Sequence, residues 1–274
     1  MPEADLDLIA RAAEDAGRIA LAHWRGTFRH WEKDAGAGPV SEADLAVNAA
    51  LEAVLRAARP DYGWLSEESA EDPHRAQAAR VFVIDPIDGT RAFIAGEDGF
   101  AVAVAVVEKG RPVAGVVHQP ARGMTYAAAA GRPATRNGQP IRPREARLDG
   151  AQVLTTKAAL DPMFWRGGRV PRITRSFRPS LAWRLCLVAE GRFDAMLSMR
   201  PVWEWDSAAA SLIAVQAGCA VTDRRGRTLR FNQSPPLGDG LVVAPPGLHR
   251  ELIAALDVEP PPEAAQTGTG KAAG

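Results

Sequence analysis

The sequence predicts an α/β fold, α+β in its first half and alternating α/β in its second. Three observations predict it: helical apolar spacing in two stretches before residue 60, short β-branched runs between Tyr62 and about Ala130, and strand–helix alternation after about residue 148. The 274 residues amount to between one and two domains at about 150 residues each. The expected division is an N-terminal part, 1–147, a C-terminal part, 148–257, and a tail, 258–274. The tail carries Pro, Gly, Thr and Ala without periodicity, which predicts disorder.

In chain order, residues 4–24 set Leu8, Ile9, Ala12, Ala16, Ile19 and Ala20 at helical spacing. After a glycine-bearing break at 34–39, a second helix is expected over 41–59. Ser41 and Asp44 stand in capping-box spacing, Leu51, Val54, Leu55 and Ala58 are read as its buried face, and Pro60 ends it. Strands follow at 81–84, 100–107, 113–117 and 124–128, with Glu108-Lys109-Gly110-Arg111 as a hairpin link, giving a mostly antiparallel sheet. The second half reads as strand 152–156, helix 180–190 closed by Gly191, strand 193–198 and helix 206–217 closed by Gly218. A hairpin around Arg225-Gly226, strand 241–244 and helix 247–256 complete it.

Composition excludes several classes. Lys plus Arg equals Asp plus Glu at 33 each, so no general pull toward nucleic acid or an anionic membrane is implied. The longest run without a polar residue, 100–107, is far short of the roughly 20 that span a bilayer. The acidic, amphipathic N-terminus lacks the basic start and apolar stretch of a signal peptide, so a cytoplasmic location is expected. Cys186 and Cys219 lie in apolar surroundings without metal-ligand spacing and read as small buried hydrophobes. The five histidines show no zinc spacing either.

The chemistry is concentrated in residues 81–93, VFVIDPIDGTRAF. An apolar strand delivers Asp85, and Pro86 and Gly89 enforce a tight turn that brings Asp88 and Thr90 out on the same side. Two carboxylates about 4–6 Å apart repel by roughly 1 kcal/mol in water and by several at an effective dielectric near 20. A turn used only for structure gains nothing from that. A divalent cation reverses the sign, and an all-oxygen set favours Mg²⁺ over zinc. Other acids stand elsewhere: Glu67 and Glu68 after an apolar stretch, Asp206 at the start of an Ala-rich helix, and Asp44 in its capping box. Taken singly, each has a structural explanation: a solvated loop charge, the better reading for Glu68, or a helix cap worth about 1 kcal/mol.

Together these segments resemble a family. DPIDGTRAF, with LSEES before it, VSEADLAVN earlier and WDSAAASLIAVQAG later, is similar over about residues 5–245 to the inositol monophosphatase superfamily of Mg²⁺-dependent, Li⁺-sensitive phosphomonoesterases. Within it, PVSEADLAVN, LSEES, GVVHQP followed by MTYAAAAG, and SLAWRLCLVAEGRFD most resemble bacterial 3′(2′),5′-bisphosphate nucleotidases of sulfur metabolism. The resemblance implies a layered αβαβα sandwich acting on a small phosphorylated metabolite, as a monomer or homodimer. It implies that Glu67, Asp85 and the Ile87 carbonyl hold one Mg²⁺, that Asp85, Asp88 and Asp206 hold a second, and that a third ion can sit near Glu67.

By the same resemblance, Thr90, with Asp44 behind it, orients and deprotonates the attacking water, while Gly89 and Thr90 offer backbone N–H groups to the phosphate. Glycine at 89 is then expected because a side chain would obstruct that approach. Ser180 and Asp206 are expected on the substrate's sugar, and Lys157 either pairs with a second phosphate or is an exposed surface lysine. Trp183, Trp203 or Trp205 is expected either to stack on a base or, the better reading, to lie in the core. Met199 stands where inositol phosphatases usually carry an acid, seven residues before the aspartate of the WD pair. The alternatives are an inositol-1-phosphate phosphatase and, weighed lower, a non-catalytic nucleotide or sugar-phosphate binding protein.

Overall fold

The computed structural model describes residues 2–33 and 38–257. Its helices and strands, in chain order, are α1 (Pro2–His23), β1 (His30–Glu32), β2 (Pro39–Ser41), α2 (Glu42–Ala58), β3 (Gly63–Ser66), β4 (Arg80–Asp88), α3 (Thr90–Ile94), β5 (Ala101–Glu108), β6 (Arg111–Gln119), β7 (Met124–Ala129), β8 (Thr135–Arg136), β9 (Gln139–Pro140) and β10 (Gln152–Leu154). They continue with β11 (Thr174–Ser176), α4 (Leu181–Ala189), β12 (Ala195–Ser198), β13 (Val202–Trp203), α5 (Glu204–Ala217), β14 (Ala220–Thr222), β15 (Leu237–Gly238), β16 (Leu241–Ala244) and α6 (Pro246–Ala255).

The first sheet runs in sequence order from β3 to β9 and is antiparallel except for the β3–β4 pair. The second has the order β11-β10-β12-β16-β14 and is mixed. Alternation on β4 and β5 sends successive side chains to opposite faces. Phe82, Ile84, Val102 and Val104 pack against Ile9, Ala13, Leu51 and Leu55 of α1 and α2. Val81, Val83, Ala103 and Ala105 face the other way, into a core shared with α4, α5 and the inner face of the second sheet. That sheet's outer face, with Val153, Leu197 and Val242, is covered by Leu248 and Leu252 of α6. The layers are therefore α1/α2, sheet, α4/α5, sheet, α6, the αβαβα sandwich expected.

Three local expectations change. Val54 and Ala58 are exposed, because the stripe of α2 that meets the sheet is Val47, Leu51 and Leu55. Helix α5 starts at Glu204, so Asp206 is its third residue and not a cap. The Arg225-Gly226 turn exists, held by the Asp223 carboxylate accepting from the Arg225 and Arg227 amides, but no strand returns from it: β14 pairs with β16 instead. The Lys109-Gly110 hairpin is as expected, both residues having positive φ. The expected disordered tail, 258–274, lies outside the described residues, as do residues 34–37 of the glycine-bearing break.

Gly115 on β6 lies directly against Ala209 of α5. A Cβ there would lie 2.8 Å from the Ala209 carbonyl oxygen and 3.0 Å from its Cα. Gly115→Ala is expected to destabilise the protein by about 1–3 kcal/mol, the usual overpacking cost, seen as a lower melting temperature.

Candidate active site

The acidic turn is built by a bulge. Between Asp85, opposite Ala103, and Asp88, opposite Ala101, β4 advances three residues against two on β5. Gly89 then turns the chain at φ +100°, and a Cβ there would meet the Gly99 carbonyl at 3.2 Å and the Ser180 nitrogen at 3.4 Å. Glycine is thus required by the backbone itself and by its neighbours, apart from any part it plays in admitting a ligand.

Three acids from three distant segments converge. Oxygens of Glu67, Asp85 and Asp206 all lie within 4.8 Å of one another. Asp85 is buried, and its Oδ1 has no hydrogen-bond partner among the described residues. Burial first, then the charges of Glu67, Asp88 and Asp206, push the Asp85 carboxyl well above the usual range; burial and Asp88 do the same to Asp206. A buried carboxylate oxygen with no donor, in an all-oxygen cluster, is the chemistry of a hard-cation site.

Asp88 stands beside this cluster but is turned to the start of α4. It accepts from Ser180 Oγ at 2.6 Å, Leu181 N at 3.1 Å and Ala182 N at 2.6 Å. Burial raises its pKa, and these three bonds resist the rise. About four acceptor positions exist on a carboxylate, so one remains. Ser180 Oγ also accepts from Trp183 N and so caps α4. Asp44 closes its capping box with Ser41, and its Oδ1 accepts from Thr90 Oγ1 at 3.2 Å. Thr90 Oγ1 shares that proton with the Ile87 carbonyl at 3.1 Å. Burial pushes Asp44 up, against the bonds from Ser41 and Thr90.

Two partners escaped the sequence reading. Lys33, next to the β1–β2 ribbon, donates to Glu67 at 2.7 Å and to Glu68 at 2.6 Å. Glu68 is no solvated loop charge: its side chain is 5% exposed, and burial, opposed by Lys33, pushes its pKa up to about 7. Burial pulls Lys33 down, but the two glutamates outweigh it and the net shift is upward. A tract of three-residue strands carries no periodicity that could have flagged Lys33.

Beside the acids lies an open cleft of ≈ 200 Å³ lined by Gly38, Pro39, Glu67, Gly89, Thr90, Arg91, Ala92 and Pro179. Arg91 is exposed in it. Lys157 is exposed on the short 3₁₀ turn Lys157–Leu160 and is not one of the lining residues. Trp183 is buried in the core. Trp203 and Trp205 stack on each other at 4.8 Å, with Trp203 42% exposed. Met199 is buried. Both cysteines are buried free thiols, and burial pushes Cys219 up to about 12. Among the described residues no helix is long and apolar enough to cross a membrane.

The chain is also similar to known proteins over most of its length. The model of the inositol monophosphatase family matches residues 3–259. Histidinol-phosphatase of Chlorobaculum parvum is 34% identical over 262 residues, covering 92% of this chain and 96% of that protein. The 3′(2′),5′-bisphosphate nucleotidase CysQ of Salmonella typhimurium is 31% identical over 234 residues, covering 82% and 93%. The solved extragenic suppressor protein suhB of Bartonella henselae superposes with a TM-score of 0.80 at 26% identity, covering 92% of this chain and 97% of that one.

Proposed function

The chain belongs to the inositol monophosphatase family of phosphomonoester hydrolases, and we propose that it is a Mg²⁺-dependent 3′(2′),5′-bisphosphate nucleotidase, converting 3′-phosphoadenosine 5′-phosphate to AMP and phosphate. The observation that carries the reading is the convergence of Glu67, Asp85 and Asp206, with a partnerless oxygen on Asp85, beside a cleft that also holds Thr90.

The donor set fits Mg²⁺. Glu67, Asp85 and Asp206 would hold it, with Asp88 and the Ile87 carbonyl contributing to a two-ion site; a third ion near Glu67 would compete with the Lys33 ammonium. When bound, the ions supply neutralisation of phosphoryl charge and acidification of a water. The remaining steps are the chain's own. Thr90 Oγ1 donates a hydrogen bond to Asp44 Oδ1 or to the Ile87 carbonyl, which leaves its lone pairs to take a proton from the attacking water. Asp44, made more basic by burial, receives that proton through the hydroxyl. Gly89 and Thr90, both on the cleft, would offer the phosphate their backbone N–H groups, whereas Ser180 is fully buried with its hydroxyl engaged by Asp88 and the Trp183 amide, so it would act through Asp88 and not on the sugar.

For the substrate, the buried Met199 offers no acid to a ring hydroxyl. Arg91 puts a cation on the cleft for a second phosphate and is better placed for it than Lys157. It would repel the ammonium of histidinol phosphate. Phosphate release should be compared across 3′-phosphoadenosine 5′-phosphate, inositol 1-phosphate and histidinol phosphate in Mg²⁺. The bisphosphate is expected to be turned over fastest, with millimolar Li⁺ lowering the rate. Arg91→Ala should lower kcat/KM for the bisphosphate about 10-fold or more, in line with 1.5–3 kcal/mol for a charged hydrogen bond. It should leave 3′-AMP turnover nearly unchanged. Preferential hydrolysis of inositol 1-phosphate or histidinol phosphate would overturn the substrate assignment while leaving the reaction class.

A further inference from the structure

Glu204 is buried at 2% exposure, two residues before Asp206 on α5. At 3.6 residues per turn the two side chains leave the helix on nearly opposite sides. The Glu204 carboxylate faces the loop before β15, accepting from Asn232 N at 2.5 Å and Gln233 N at 2.9 Å. Its own amide donates to the Pro236 carbonyl at 3.0 Å. The first turn of α5 is thereby wrapped by a loop that has no regular structure of its own.

The same loop is gripped from the other half of the chain. Arg75, 3% exposed, donates to Asn232 Oδ1 at 2.6 Å and to the Gln233 carbonyl at 2.9 Å, and Asn232 Nδ2 returns a bond to the Arg75 carbonyl at 3.0 Å. Arg75 sits on the 3₁₀ turn Pro73–Ala76, which closes the segment that begins with Glu67. Asp72 fastens that segment to β3, accepting from Trp64 N at 3.2 Å and His74 N at 3.0 Å. A continuous chain of hydrogen bonds thus runs from the loop bearing Glu67, through Arg75 and Asn232, to Glu204 and the helix turn bearing Asp206.

We propose that the Arg75–Asn232–Glu204 clamp is a positioning device for the metal ligands, fixing the separation of Glu67 from Asp206. It rests on the metal-dependent reading above. A buried ion pair or network is weak evidence for stability, since well-packed apolar residues often serve as well. Partners that orient metal ligands typically change metal affinity 10–100-fold when lost.

Isothermal titration of the metal-free full chain with Mg²⁺ tests it, with melting temperature in EDTA and the Mg²⁺ activation curve as parallel readouts. Glu204→Gln keeps the volume and loses one acceptor. It should weaken Mg²⁺ binding about 10-fold, and kcat at saturating Mg²⁺ should return to within about 3-fold of wild type. Asp5→Asn is the control: this buried carboxylate holds Arg59, Arg80 and Tyr62 between α1 and the sheet, and its loss should lower the melting temperature without moving Mg²⁺ affinity. Should Glu204→Gln not fold, Asn232→Gly, which suits the positive φ of 64° at this position, cuts the bond to Arg75 while leaving both amides on Glu204, and the same loss of affinity is expected. Unchanged Mg²⁺ affinity with a lower melting temperature would reduce the clamp to a structural tie and overturn the proposal. Absence of Mg²⁺ binding by the wild-type chain would overturn the metal reading and the clamp together.

Discussion

Asp206→Asn is expected to abolish phosphate release, by at least about 10³-fold, and at the same time to raise the melting temperature of the metal-free protein by a few degrees. Each effect follows from the same cluster. Losing one anion from a cation site removes several kcal/mol of charge stabilisation in the transition state, and about 1.4 kcal/mol is tenfold in rate. Without a cation, however, Asp206 is one of three acids within 4.8 Å, and like charges at that spacing cost energy wherever water is scarce. Asparagine has the same shape and donates to Asp85 from its amide. Kinetics with saturating Mg²⁺ and calorimetry in EDTA measure the two halves. Retained turnover, or a lower melting temperature in EDTA, would contradict the assignment. An Asp88 variant is a poorer probe, since it also uncaps α4.

The second large effect is on stability against pH. In the metal-free protein, burial raises the pKa of Asp85 and Asp206 well above the usual range, raises Asp44 and Asp88, and brings Glu68 to about 7. An unfolded chain loses these protons near pH 4. Between that value and the raised folded values, the folded state therefore binds more protons, and stability falls as pH rises. His118 and His249, held low by burial, oppose this only below about pH 6.5, where the unfolded imidazoles begin to charge. The metal-free protein should accordingly melt higher at pH 6.5 than at pH 8. Mg²⁺ at 100-fold over its Kd adds about 2.7 kcal/mol, or about 5–10 °C for a chain of this size. That increment should be larger at pH 8, where the acids are ionised. A metal-free melting temperature that climbs from pH 6.5 to pH 8 would show that the acids carry no such strain.

Much of this was legible in the sequence because it is local. The capping box of Ser41 and Asp44, the Lys109-Gly110 hairpin and the DPIDGT turn are set by backbone rules acting over a few residues. Asp206 could be placed only by resemblance, since 118 residues separate it from Asp88 and no periodicity relates them. What stayed hidden is non-local. Arg75 and Asn232 are 157 residues apart, and Lys33 and Glu68 are 35. The Val54 misreading has a related cause: helical spacing identifies an apolar stripe but not how wide a band the neighbouring sheet covers.

Helices α4 and α5 have a sheet on either side, and Ala208, Ala209 and Ala210 are buried where α5 runs between them. Substitution toward larger side chains is closed off there, so a change of substrate in this chain would have to be made at the rim of the cleft, at exposed positions such as Arg91. Change of specificity in such a fold is steered to the doorway while the hearth stays unaltered.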